Sequence, residues 1–299
     1  ISIQKSLKSD IKSSFITFAG AGSGKTYSLK EALGFLESEN KTNFLRQGRQ
    51  IAVITFTNNA ADEIRGRVQQ SDIFAISTIH SFCWKAISGF NEDIRKWYLS
   101  RIPVELEDLR DREKRGRASA ASVARKIQID KLTKKLEWLS EPQEFTYDPN
   151  GINTSNNSLS HADVLKIFAD FLSKPMMTEM LANKYPFILI DESQDTDKDV
   201  INALFGMNEL GNVTLGLFGD TMQRIFGAGE PRLGKTLPVE WKEFGKELNR
   251  RSARRIVGLG NRIRSDDDGR TQFALEGASD GFVSFTTQCL MFACQCGCV

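Results

Sequence analysis

No apolar run in this chain approaches the roughly 20 residues needed to cross a bilayer, and no signal-peptide pattern opens it. A membrane partner is therefore not expected. Cysteine is scarce before residue 289: Cys83 stands alone in an apolar stretch and reads as a small core residue. That usage suits the cytosol, where thiols stay reduced. Cys289, Cys294, Cys296 and Cys298 crowd the end with the spacing C-x4-C-x-C-x-C. The paired C-x2-C knuckles of common zinc sites are missing and no histidine lies near, so no metal site is expected there. No internal repeat is found, which excludes a solenoid. Net charge is only +2, too mild by itself to announce a nucleic-acid partner. The chain opens on Ile1 rather than Met, as a trimmed or partial chain would.

With 299 residues, 40% hydrophobic and 26% charged, the composition is that of a soluble globular protein of more than one domain. The charge is uneven. Arg110 to Lys135 holds ten Lys/Arg against three Asp/Glu, a local +7. On composition alone this is a solvated charged helix; its alternative is a basic face for a phosphate backbone.

The most informative stretch is Phe15 to Tyr27, FITFAGAGSGKTY. A run of β-formers ends in a small-residue loop and then Gly24-Lys25-Thr26, the pattern of a strand feeding a phosphate loop at a helix N-terminus. Ala21, Gly22, Ser23 and Gly24 leave room for backbone N–H groups to turn toward phosphate oxygens. Lys25 is placed to reach the outer phosphates and the Thr26 hydroxyl to hold Mg²⁺. The strict pattern opens with Gly where this chain has Ala19. Downstream, Phe187 to Asp191-Glu192 is an apolar strand ending in two acids. Asp191 is expected to hold Mg²⁺ and Glu192 to orient and deprotonate an attacking water. The cofactors expected are ATP and Mg²⁺.

The remaining chain alternates strand and helix. Helix is expected at about Lys25–Glu39, strand at Gln50–Phe56, strand at Ile73–Ser77 and helix at Thr78–Ser88. Helices are expected again at Ser160–Ser173, Lys174–Asn183, Asp197–Glu209 and Ser252–Arg264, with strands at Phe187–Asp191 and Val213–Gly219. This rhythm predicts an α/β fold with a parallel sheet covered on both faces. It breaks from about Gly89 to Ser158, where charged helices at Val104–Arg117 and Ala120–Leu139 end in the loop DPNGINTSNNS, an inserted helical subdomain. After Ser265 the chain reads as irregular, with one strand at Phe282–Phe285.

Six motifs in one order, AGAGSGKT (Ala19–Thr26), TFTNNAADEIRGR (Thr55–Arg67), STIHSF (Ser77–Phe82), LIDESQDT (Leu189–Thr196), GDTMQRIFGAG (Gly219–Gly229) and NRRSARRIVGLGNRI (Asn249–Ile263), resemble the UvrD/Rep-type helicases of superfamily 1. The resemblance runs from about Gln4 to Arg264, apart from the insertion. It implies a RecA-like P-loop domain in two parts (1–89 and 159–250), a 1B-like insertion (90–158) and an incomplete second motor domain (251–299). It also implies an ATP-dependent helicase working 3′ to 5′ on single-stranded DNA and at junctions with duplex. Two alternatives stay open: a truncated nucleotide- and DNA-binding module without unwinding, or the front half of a helicase–nuclease. A partner protein or a second motor domain elsewhere would complete the machine.

Residue by residue, the resemblance makes Gln4, fifteen residues before Ala19, the adenine reader, and sets Tyr27 beside the nucleotide. Gln194 links nucleotide to DNA, Gln223 senses the γ-phosphate, and Arg251 touches that phosphate from the neighbouring domain. Phe56, Thr57, Asn58, His80 and Ser81 lie where the family grips single-stranded DNA, and Phe226 where an aromatic stacks on a base. The insertion falls along the DNA path, which favours the phosphate-binding reading of its basic run. Three departures stand out: Arg250 replaces a tyrosine that stacks on adenine, Asn59 replaces a usual lysine, and nothing after Arg264 matches the later motifs.

Overall fold

The apolar runs become strands because aromatic and branched side chains fit a pleated surface buried on both faces. The computed structural model describes residues 3–8, 13–68, 71–117, 119–210, 213–224, 229, 233, 237–238, 240–266 and 268–282. The chain opens with α1 (Ile3–Ser6), β1 (Phe15–Ala19), α2 (Lys25–Gln47), β2 (Ile51–Thr55), α3 (Asn58–Arg67), β3 (Phe74–Thr78) and α4 (Ile79–Ile87). It continues through α5 (Asn91–Arg115), α6 (Ala120–Trp138), α7 (His161–Leu172), α8 (Pro175–Lys184), β4 (Phe187–Ile190), α9 (Lys198–Glu209) and β5 (Thr214–Gly219). Last come β6 (Lys242–Lys246), β7 (Leu248–Asn249), α10 (Arg254–Ser265) and β8 (Phe273–Ala274).

Six strands form one parallel sheet in the order β3-β2-β4-β5-β1-β6. The fold is the expected α/β phosphate-loop arrangement of a parallel sheet flanked by helices. Alternate side chains divide between two cores, as the two-residue strand period requires. Ile16, Ala52, Ile54, Ile188, Ile190, Leu215 and Leu217 pack with Phe82, Ile94, Phe168 and Leu204 on one face. Phe15, Ile51, Val53, Phe187, Leu189 and Phe218 pack with Leu29, Leu33 and Ile64 on the other. Because every strand runs the same way, the loops leaving β1, β2, β3, β4 and β5 all emerge at one edge. That edge is where open parallel sheets bind ligands.

Capping explains where the helices start. The side chains of Thr57, Thr78, Ser119, Ser160 and Asp197 each accept a backbone N–H at the first turn of α3, α4, α6, α7 and α9. Pro175 opens α8 at a position where its missing N–H costs nothing.

Three expectations need correcting. Helix α2 does not stop near Glu39 but runs to Gln47, because Phe44 anchors its last turns against Phe187 and Gly48 ends it at φ 64°. Helix α5 begins at Asn91, well before Val104, and carries Pro103 inside it. Ile94, Tyr98, Ile102, Leu106 and Leu109 form its buried stripe, while Pro103 faces solvent, so the carbonyl deprived of its donor can be hydrated. The stretch after β5 also holds an unforeseen strand, β6, which pairs with β1 at the edge of the sheet and packs a half-buried Phe244 against Phe15. Beyond it, the short parallel pair β7–β8 precedes and follows α10. The strand expected at Phe282–Phe285 and the four terminal cysteines lie outside the described residues, apart from Phe282, which is not in a strand. Among the described residues, no helix is long and apolar enough to cross a membrane.

Candidate functional site

The loop after β1 turns through two glycines in the left-handed region, Gly22 at φ 78° and Gly24 at φ 88°, which any side chain would strain. The Ser23 backbone N–H and hydroxyl both donate to the Gly20 carbonyl, at 3.1 Å and 2.7 Å, and tie the turn to the end of β1. Helix α2 starts at Lys25, so its unpaired N–H groups and the positive end of its dipole face the loop. This is an anion cradle by construction.

The acids at the end of β4 close on it. Lys25 Nζ forms an ion pair with Glu192 Oε2. Gln194 Nε2 donates to the same Glu192 oxygen at 2.7 Å, and Gln194 Oε1 accepts the Asp220 N–H at 3.1 Å. Glu192 sits at φ 51°, the one non-glycine residue of positive φ among those described. Such strain persists where surrounding contacts over-determine it. Asp191 is buried, and that burial pushes its carboxyl up to about 6, while the Lys25 charge pulls the other way. Among the described residues, no group of three His, Cys, Asp or Glu side chains could hold a metal alone. A hydroxyl such as that of Thr26 and a carboxylate such as that of Asp191 are the donor types that suit an ion taking its remaining oxygens from phosphate and water, as Mg²⁺ does. The donor set fits a magnesium nucleotide.

The segment after β6 covers the other side of the loop. Asn249, 3% exposed, donates to the Ala21 carbonyl at 2.8 Å and accepts the backbone N–H groups of Arg251 and Ser252 at 3.0 and 2.9 Å. Arg250 N–H donates to the Gly22 carbonyl at 2.9 Å. A side chain at Gly22 would meet Asn249 Oδ1 at 2.7 Å and Arg251 Cβ at 2.8 Å. Arg251 thus stands at the phosphate loop with its side chain exposed. Gln223 Nε2 donates to Asp220 Oδ2 at 2.8 Å. Gln4 and Tyr27 meet elsewhere, lining a cavity of about 260 Å³ beside the first turns of α2 together with Glu31, Phe244 and Lys246. Tyr27 donates to Glu31 at 3.1 Å, which raises its phenol pKa, and the nearby Arg250 charge opposes that shift.

The residues matched to a DNA grip lie at the neighbouring strand ends. Phe56 and Thr57 follow β2, and Thr57 caps α3. Asn58 Nδ2 donates to Asn150 Oδ1 of the polar loop at 2.7 Å. Ser81 Oγ accepts from Thr78 at 3.0 Å in the cap of α4. The ring of His80 packs edge-on against His161 at 5.1 Å, and Tyr147 hydrogen-bonds the latter at 2.5 Å. Burial lowers the His80 pKa, His161 adds to that, and Asp197 opposes it. Phe226 lies outside the described residues.

Several groups escaped the sequence reading: Asn249, Asp220, Arg264 and Lys246. Asn249 and Asp220 lay inside quoted motifs, and their burial was the missing information.

A family model described as an AAA domain matches residues 4–228. The Gabija protein GajB of Bacillus cereus is 25% identical over 325 aligned residues, covering 85% of this chain and 48% of that protein. The ATP-dependent DNA helicase PcrA of Staphylococcus epidermidis is 24% identical over 296 residues, covering 89% and 40%. PcrA of Staphylococcus aureus is 25% identical over 278 residues, covering 83% and 37%. The chain spans about half the length, or less, of these relatives.

Proposed function

Starting from the fact that this chain belongs to the AAA-domain family matched over residues 4–228, with the motor-half features of a UvrD/Rep-type superfamily 1 helicase, we propose that it is the ATP-binding front half of a DNA translocase. In this reading ATP is hydrolysed at the edge formed by β1, β4 and β5. Single-stranded DNA lies along the ends of β2 and β3, and movement runs 3′ to 5′ toward duplex junctions. One observation carries it: Lys25 at the end of the phosphate loop and Glu192 just after β4 meet in a polar chain that reaches Asp220 through Gln194.

The division of labour follows from chemistry. The loop N–H groups and Lys25 bind the phosphates, Lys25 exchanging its Glu192 partner for phosphate oxygen. Glu192, released from that ion pair, accepts a proton from the attacking water. Bound Mg²⁺ supplies positive charge that neutralises the phosphate oxygens, with Thr26 and Asp191 as its protein ligands. Arg251 adds a cation on the γ-phosphate side, in cis. Gln4 reads the base, with Tyr27 and Arg250 beside it. Phe56, Thr57, Asn58, His80 and Ser81 contact the strand, and the α5–α6 hairpin offers its basic face to phosphates. The division into a RecA-like domain of two parts, a 1B-like insertion and the start of a second motor domain is part of the same proposal.

A second reading is a nucleotide- and DNA-binding module that does not unwind. Incubating the chain with a 3′-tailed duplex and ATP separates the two. Strand separation that needs ATP and vanishes in Lys25→Ala supports the motor. Tight binding of both ligands without strand separation supports the module.

A further inference from the structure

Helix α10 is mostly solvated: Arg254, Arg255, Ile256, Arg262 and Ile263 are all exposed. Only Val257, at 6% exposure, and Arg264, at 9%, are buried, and Arg264 is the one charged side chain of the two. Its guanidinium reaches two carboxylates at once. Nη1 and Nη2 donate to Asp220 Oδ2 and Oδ1 at 3.0 and 2.9 Å, while Nε and Nη2 donate to Asp268 Oδ1 and Oδ2 at 3.1 and 2.5 Å. The planar fork allows this; a lysine ammonium could not span both carboxylates in the same geometry.

The Asp220 carboxylate is the junction. Its Oδ2 accepts from both Arg264 Nη1 and Gln223 Nε2, the latter at 2.8 Å. Its backbone N–H donates to Gln194, which donates to Glu192, which pairs with Lys25. An unbroken polar chain therefore runs from Arg264 to the phosphate-loop lysine, with Gln223 branching from Asp220. Asp268 is itself fixed, accepting from Thr221 at 3.2 Å and from the Arg270 N–H at 3.0 Å. The same guanidinium lies against the loop, since a Cβ at Gly20 would stand 3.1 Å from Nη1.

Holding one helix to a sheet does not need a buried arginine; apolar contacts do that without the desolvation cost. What the ion pair adds is geometry. Asp220 Oδ1 also accepts the Met222 backbone N–H at 3.2 Å; with Arg264 on both oxygens as well, the carboxylate is held in one orientation, and so is the Gln223 amide bonded to it. We propose that Arg264 is a positioning residue that sets Gln223, through Asp220, to read a terminal phosphate. The inference rests on the nucleotide reading above and adds to it a group that no motif assigned.

The test measures Mg²⁺-dependent binding of ADP and of ATPγS to the full chain by calorimetry. The variants are Arg264→Lys, Gln223→Ala, the double variant and Asp268→Asn. The wild type is expected to prefer ATPγS. Arg264→Lys should cut that preference roughly tenfold, the scale of one hydrogen bond to a charged group, and change ADP affinity by no more than roughly twofold. In the Gln223→Ala background the lysine should add nothing, because both residues act through one contact. Asp268→Asn, which keeps the Asp220 contact, should shift the preference the same way but less, and it carries the test if Arg264→Lys does not fold. An unchanged ATPγS preference with a lower melting temperature would make Arg264 a structural staple and overturn the proposal, as would additive losses in the double variant. A wild type that binds both nucleotides equally would overturn it too. A wild type that binds neither would instead sink the nucleotide reading.

Discussion

The phosphate-loop edge and the α5–α6 hairpin both carry many charges, yet they use them in opposite ways. At the loop the ionic groups are buried and shared: Asp220 at 2% exposure serves Arg264 and Gln223 together. On the hairpin the charges are exposed and mostly pair along one helix, as Arg112 with Asp108 and Lys134 with Asp130 do at i,i+4 spacing. Glu113, which binds Ser122, Arg125 and Lys126, is the main polar link between the two helices. Removing one member of a buried network strands the others, whereas an exposed pair is worth only a few tenths of a kcal/mol. The loop edge is therefore a fixed constellation, and the hairpin is a surface whose exposed ion pairs can open at little cost.

That contrast can be broken or sharpened in graded steps. The sheet beneath the loop should be the most sensitive. Ile188, fully buried in β4 just before Asp191, should cost about 2–5 kcal/mol when changed to Ala, read as the shift in urea midpoint. Asn249→Ala comes next, because it leaves the Ala21 carbonyl and two backbone N–H groups without their partner. A loss of about 1–3 kcal/mol is expected, together with weaker nucleotide binding by fluorescence titration. An effect below the noise would show that the segment over the loop is not part of the constellation.

A pH series probes the loop edge more gently. Burial raises Asp191 from its ordinary 3.8 to about 6. A carboxyl raised on folding favours the folded state while protonated. Its contribution is full below 3.8 and is lost as pH rises through about 6. Asp191→Asn should therefore flatten stability against pH across that window, measured by denaturant melts, and an unchanged slope would contradict the assignment. The smallest stability effect belongs to the hairpin. Lys126→Ala with Lys134→Ala should change stability by less than about 0.5 kcal/mol. In the DNA reading the pair should still weaken single-strand binding and reduce its salt slope by about 1–2.

The same contrast explains what could be read from the chain before its structure. The buried strands announced themselves as unbroken apolar runs, and the phosphate loop by glycines whose φ values only a turn demands. Edge strand β6 (Lys-Glu-Phe-Gly-Lys) did not, because a sheet edge tolerates charge and Phe244 is the only apolar side chain on its half-buried face, between Lys242 and Lys246. The first half of α5 was missed because its stripe spans Pro103, which is harmless only on the solvent side. Arg264 looked like any basic residue ending a helix. Its burial depends on Asp220 and Asp268, one of them far away in sequence, and no local pattern reports that.

The most direct test of the central claim is steady-state ATP hydrolysis at low salt, with and without single-stranded DNA, for the wild type, Glu192→Gln and Arg251→Ala. DNA is expected to stimulate turnover, and each substitution to lower it by about 10²-fold or more. Turnover that ignores DNA, or that survives both substitutions, would contradict the claim.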